Sequence, residues 1–296
     1  MLLRERVANL IAQQWPGTQI ELPNPLYEYE VRRVGTPAPG KYRVPFVFSL
    51  FLLVGMGYGF GTGSRSDIPG ALLVGGSLIL SLVCDLNYLA QTVTSIGHQI
   101  ESGQWDMLRL TTLRRHDIVT AKFAVAQIRT WRWMAADVAL RLGGAAFALG
   151  LILFWVFPPV KEFYLPRSVP VVLAFFAIFV AVYVLEPLWR MRAIVALGMA
   201  VSARIHHSAF ALLAGFGLLL GLRIVQAIIV LMIGSVALPM IFYFSRWYIV
   251  PRSLDLMDLL AYFLVCLLSA GAVYAFYNIV EQQALRETLQ SAFRAE

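Results

Sequence analysis

The sequence predicts an all-α integral membrane protein of about six transmembrane helices, with an N-terminal interfacial helix and a charged cytoplasmic insert between the second and third spans. Three observations predict it. Of 296 residues, 59% are hydrophobic and only 14% charged, against about a quarter charged in soluble domains. The apolar runs are continuous and long enough for helices, whereas barrel strands alternate over about 10 residues. A charged island, Glu101 to Asp117, separates two such runs, and membrane proteins keep charge at the water interface.

The elements follow in order. Residues 2–15 place Leu3, Val7, Leu10 and Ile11 near helical spacing, opposite Arg4, Arg6 and Gln13. This is the pattern of a helix lying on a membrane surface, and no cleavable signal peptide is read there. Pro23-Asn24-Pro25 starts a second short helix to Val34, whose tyrosines and arginines suit the headgroup layer. Residues 35–40 form a hinge. The first span is expected at 44–60 and the second at 69–96. The second has a polar half that includes Asp85 and Asn87. The third is expected at 133–157 and the fourth at 169–188, where Glu186-Pro187 interrupts the pattern before a short apolar piece, 193–203. The run 208–244 is too long for one upright span. It suits either one span plus a re-entrant helix or a tight hairpin of two spans. A last span, 256–279, precedes a charged helical tail with Leu285, Leu289 and Phe293 in register. Six spans are preferred; seven or eight also fit. The chain thus divides into 1–43, 44–280 with its insert 97–132, and a tail, 281–296.

The net charge of +7 reads as an orientation signal, not as a nucleic-acid surface. Basic residues concentrate in 1–43 (Arg4, Arg6, Arg32, Arg33, Lys41, Arg43) and in 97–132 (Arg109, Arg114, Arg115, Lys122, Arg129, Arg132). The loops 61–69 and 157–169 hold only Arg65, Lys161 and Arg167. The N-terminus and the island are therefore expected in the cytoplasm of a cell whose inner membrane holds the spans. The two cysteines, Cys84 and Cys266, lie in apolar runs and read as small core residues. The histidines have no metal-ligand spacing, and no nucleophile motif occurs.

On the island, Trp105, Leu108 and Thr112 fall on one helical stripe, with Asp106, Arg109 and the Arg114-Arg115-His116 turn expected to point away from it. Asp117 is placed to cap the following helix. By residue order the segment resembles the cytoplasmic signature of type-2 ABC exporter permeases. The matching positions are Glu101, Gly103, Trp105, Asp106, Leu108, Thr111, Leu113, Ile118 and Lys122. Thr112 departs from it, standing where that family usually has proline. Asn24-Pro25-Leu26, then Glu28 or Glu30 and Arg32-Arg33, is similar to the opening of the same family's interfacial helix. Ala196 to Arg204, with Gly198 and Ser202, is similar to the end of its fourth span.

The resemblance implies a permease subunit that moves a lipid, glycan, peptide or drug-like cargo outward. It implies a coupling helix around Glu101–Leu113 that docks on a separate ABC-type ATPase subunit, with Arg114 and Arg115 beside it. It also implies a second permease chain, identical or different. ATP and magnesium would belong to the ATPase, and no phosphate-binding loop occurs on this chain. The main rival is a structural or assembly subunit that keeps a permease-like fold. A more distant one is an intramembrane enzyme, for which no catalytic set is visible. Asp85, with Asn87, is either a polar point on a translocation path or a hydrogen-bonded helix interface. Asp137 and Arg141, four apart, read as a structural pair. Glu186 reads as a helix cap or breaker, and Arg223 as a snorkelling or loop residue.

Overall fold

The computed structural model describes residues 25–34, 68–93, 95–156, 169–205, 207–247 and 256–293. All regular structure among them is helical: α1 (Pro25–Val34), α2 (Ile68–Val93), α3 (Gly97–Glu101), α4 (Gln104–Arg109), α5 (Arg115–Val156), α6 (Val169–Arg204), α7 (Ser208–Trp247) and α8 (Leu256–Phe293). The surface helix expected at 2–15, Asn24, the hinge and the first span at 44–60 lie outside the described residues. Among the described residues, three stretches are long and apolar enough to cross a membrane: Ile79–Glu101, Ser208–Met232 and Phe263–Phe293. This fits a membrane-embedded protein.

The long helices alternate in direction. The ends of α2, α6 and α8 and the start of α5 gather at one end of the bundle, where α3 and α4 also sit. Helix α6 is central and packs on α2, α5, α7 and α8. Its segment from Arg190 to Ala203 is buried on nearly every side, and much of it is small: Ala193, Ala196, Gly198, Ala200, Ser202, Ala203. Small residues let helix backbones approach closely where lipid gives no hydrophobic drive to association. Such a helix has no polar face to reveal its orientation.

Three expectations about continuity are corrected. The fourth span does not stop at Glu186-Pro187, because α6 runs through Pro187 for 36 residues. A helical proline removes the hydrogen bond to the carbonyl four residues earlier. Here that carbonyl belongs to Tyr183, and Arg141 Nη1 donates to it at 2.8 Å. A neighbouring helix thus supplies the missing donor. The run after Ser208 is neither a hairpin nor a span with a re-entrant piece. It is one helix of 40 residues, about 60 Å long. The last span and the tail are also continuous, as α8.

At the end of the bundle where α3 and α4 sit, the short helix expected up to Val34 is present as α1, which packs on α5. The island forms two short helices rather than one. Gly103 joins them at φ 71°, a left-handed conformation that costs other residues roughly 1 kcal/mol or more. Asp117 does not cap α5. The helix begins at Arg115, and Asp117 lies in its first turn, where a carboxylate still opposes the positive end of the helix dipole.

Candidate functional site

Two constellations stand out. One is the exposed lever at the end of the bundle, and the other is a buried cluster of charges that ties the bundle together.

The lever is α3–α4, and it is held from beneath at three points. The hydroxyl of Ser202 on α6 accepts from the backbone N–H of Ile96 at 3.2 Å and of Gly97 at 2.8 Å. The Trp105 indole N–H donates to the carbonyl of Ala292 at 3.0 Å, and Arg109 Nη2 donates to the same oxygen at 2.7 Å. Phe293, in the last turn of α8, lies 5.6 Å from the Trp105 ring. The guanidinium groups of Arg109 and Arg115 sit over Phe293 at 5.4 and 5.1 Å. Each cation–π contact of this kind contributes roughly 0.5–1 kcal/mol at a partly exposed site. The free carbonyls of a helix end thus find donors, and the lever is fixed to α8.

This geometry corrects the expected faces of the island. Trp105 is 2% exposed and points into the chain. Arg109 and Arg115 do not point away from the apolar side; they close over Phe293. Leu108 and Leu113 are partly buried against the core. Glu101, Gly103, Asp106, Thr111, Thr112 and Arg114 are exposed. The outermost apolar side chains are Met107 and Leu110, at 72% and 85% exposure. Sequence reasoning missed both, although they sit three apart, beside the chosen stripe. Leu108 and Leu110 are both leucines, and spacing alone did not say which one faces out.

Glu30 and Lys122, both buried, form an ion pair that joins α1 to α5, and Arg129 Nη2 lies 3.6 Å from the same carboxylate. Of the two acidic candidates in α1, Glu30 is therefore the anchor. Glu28 and Arg32 are exposed and 3.9 Å apart, a pair worth roughly 0–1 kcal/mol. Arg33 also lies on α1. Lys122→Met is expected to release α1 at a cost of about 3 kcal/mol, because it leaves a buried carboxylate short of its partner. Glu28→Ala is expected to change stability by less than about 1 kcal/mol. Hydrogen exchange confined to residues 25–34 checks both. Equal protection of α1 in the Lys122 variant and the wild type would contradict the assignment.

The buried cluster is centred on Arg190, which is fully enclosed. Its Nε donates to Asp85 at 2.9 Å, and its Nη1 donates to both oxygens of Glu186 at 3.0 and 2.9 Å. Its Nη2 donates to Asp137. Arg141 bridges Asp137 at 3.2 Å and Glu186 at 2.7 Å. Arg223 on α7 pairs with Asp85 and donates to Ser81 at 2.7 Å and Gln226 at 3.0 Å. Glu186 also accepts from Gln226 at 3.0 Å and from the Tyr277 hydroxyl at 2.7 Å.

Three carboxylates thus meet three guanidinium groups, and all five long helices contribute. The balanced charge is what allows such groups inside apolar helices. Asp85 is 0% exposed and locked between two arginines, as a hydrogen-bonded helix interface requires. Asn87 is half-buried and accepts from Gln91 at 3.0 Å. The Asp137–Arg141 pair is present as expected. Glu186 neither caps nor breaks a helix, and Arg223 does not snorkel. Arg190 was visible in the sequence only as an interruption, and its place four residues after Glu186 within a long apolar stretch was the signal that could have found it. A further buried pair, Arg192–Glu281 at 2.7 Å, ties α6 to α8 nearer the lever.

Compared with protein-family models, with curated proteins and with solved structures, the chain matches none.

Proposed function

We propose that this chain is the permease subunit of an ABC exporter, driven by a separate nucleotide-binding subunit that docks on α3–α4. The observation that carries the reading is the lever itself. Two short helices, α3 and α4, link the ends of α2 and α5, are pinned to α6 and α8, and present Met107 and Leu110 to water. Large apolar side chains held out on a charged, rigid surface are what a partner's socket requires. A push on such a lever moves four long helices together, because its anchors allow little local give. Alternating access needs rigid-body movement of this kind.

In this reading the spans number six: residues 44–60 and the five long helices. Helix α1 precedes the first of them and the end of α8 follows the last. Both lie at the lever end, which supports an even number of crossings. The basic residues at that end favour the cytoplasmic side of an inner membrane. The motif residues also acquire physical roles. Gly103 permits the turn, Gly198 the close approach of α2, Ser202 the anchoring of α3, and Lys122 the grip on α1. Trp105 and Arg109 act from within as anchors, while Asp106, Met107, Leu110, Thr111 and Arg114 face the ATPase. A second permease chain would complete the transporter. The cargo class, lipid, glycan, peptide or drug-like molecule, follows from the resemblance alone.

Met107→Glu with Leu110→Glu is expected to abolish ATP-driven transport and recovery of the ATPase with the permease. Losing each apolar contact costs on the order of 1.5–3 kcal/mol, which is tenfold or more in affinity. The melting temperature of the chain should stay unchanged, because both side chains are already in solvent. Undiminished transport and copurification would contradict the proposal.

A further inference from the structure

We infer that a cleft between α6, α7 and α8 holds one acyl chain of a zwitterionic phospholipid, with its headgroup at Arg204 and Glu287. The inference rests on membrane embedding and not on the transport reading. The cleft encloses about 410 Å³. Its walls include Leu218, Leu222 and Val225 of α7 and Phe276 and Val280 of α8, and its floor is made small by Ala200 and Ala284. Gly221 opens its side, where a β-carbon would meet no atom within 4 Å.

Among the described lining residues the polar ones gather at one end, where Arg204, Gln283 and Glu287 stand. Arg204 and Glu287 are paired and partly exposed, with side chains 62% and 46% accessible. A cation and an anion side by side at one end of an apolar slot match a phosphate and an ammonium group on one lipid. The polar end is also the end at which the charged lever lies, so a lipid seated here has its headgroup at the water interface. The outward surface of α7 beside the cleft is continuously apolar, with Leu220, Ile224, Ile228 and Leu231 each about half exposed or more. The slot is therefore open to surrounding lipid.

The test uses the full chain in nanodiscs containing phosphatidylethanolamine with a photoreactive group midway along one acyl chain. Adducts are expected to concentrate on Leu222, Val225, Phe276 and Val280 over Ile224 and Ile228 of the outer face. Gly221→Phe fills the slot and should lower the cleft adducts roughly tenfold, the loss expected for displacing about two methylenes. Arg204→Gln with Glu287→Gln should erase the preference for phosphatidylethanolamine over a diacylglycerol carrying the same probe. The adduct map of the wild type alone keeps the test valid if a variant does not fold. Even labelling around α7 would show ordinary annular lipid and overturn the inference. Unlabelled cleft residues would also overturn it, showing the slot filled by protein such as residues 44–60.

Discussion

Arg190→Met is expected to remove most folded chain from the membrane. The substitution nearly keeps side-chain volume, so packing is not the cause. It takes away the one group that contacts Asp85, Asp137 and Glu186 together. Three carboxylates then share Arg141 and Arg223, and an excess negative charge remains among apolar helices. Breaking one buried pair costs about 3–5 kcal/mol, and a folded domain has only about 5–15 kcal/mol to lose. The cluster spans α2, α5, α6, α7 and α8, so the loss is global rather than a local fraying. Size-exclusion profiles of a fluorescent fusion, extracted in mild detergent and heated, would measure it. The exposed Arg32→Met is the matched control, with an expected change below about 1 kcal/mol. A monodisperse Arg190→Met chain with wild-type thermal stability would show that the cluster does not hold the bundle.

Gly198→Ala is expected to loosen the centre of the bundle, although it adds a single methyl group. A β-carbon there would lie 2.0 Å from the Thr92 hydroxyl oxygen and 2.9 Å from Thr92 Cβ. Neither separation is possible between real atoms, so α2 and α6 must part. Overpacking of this kind costs roughly 1–3 kcal/mol. The effect reaches the lever, because Ser202 lies one turn beyond Gly198 and grips Ile96 and Gly97 only at the present helix spacing. Thr92→Ala should be mild, since the hydroxyl bonds only within its own helix, to the carbonyls of Tyr88 and Leu89. Combined with Gly198→Ala it should restore part of the loss, because the clash with the Thr92 β-carbon remains. A melting temperature for Gly198→Ala equal to wild type would contradict the close approach.

Hydropathy and composition made the helical membrane class legible, and the turn residues marked α1 and the charged island. The four-residue spacing of Asp137 and Arg141 disclosed their pair, since both lie on one helix. The rest depended on contacts between helices, which periodicity does not carry. Pro187 read as a break because the donor that relieves it, Arg141, sits on another helix. Glu186 and Arg223 read as end-of-helix residues because their partners are far away in sequence. The run after Ser208 read as two pieces because a length argument assumes an upright helix and gives no weight to tilt. Trp105 read as part of an apolar stripe on a helix that docks on an ATPase, because a lone tryptophan on a charged segment does not reveal that Phe293, far along the chain, lies beneath it. The same blindness hid Met107 and Leu110, whose exposure follows only once Trp105 is known to point in.

The most direct test of the central claim is a photoreactive amino acid placed at Leu110 in intact cells. The lever reading predicts an adduct between this chain and a soluble nucleotide-binding protein, with a yield that changes when ATP hydrolysis is arrested. An adduct with lipid alone, or labelling of Leu110 by an impermeant reagent applied outside the cell, would contradict it.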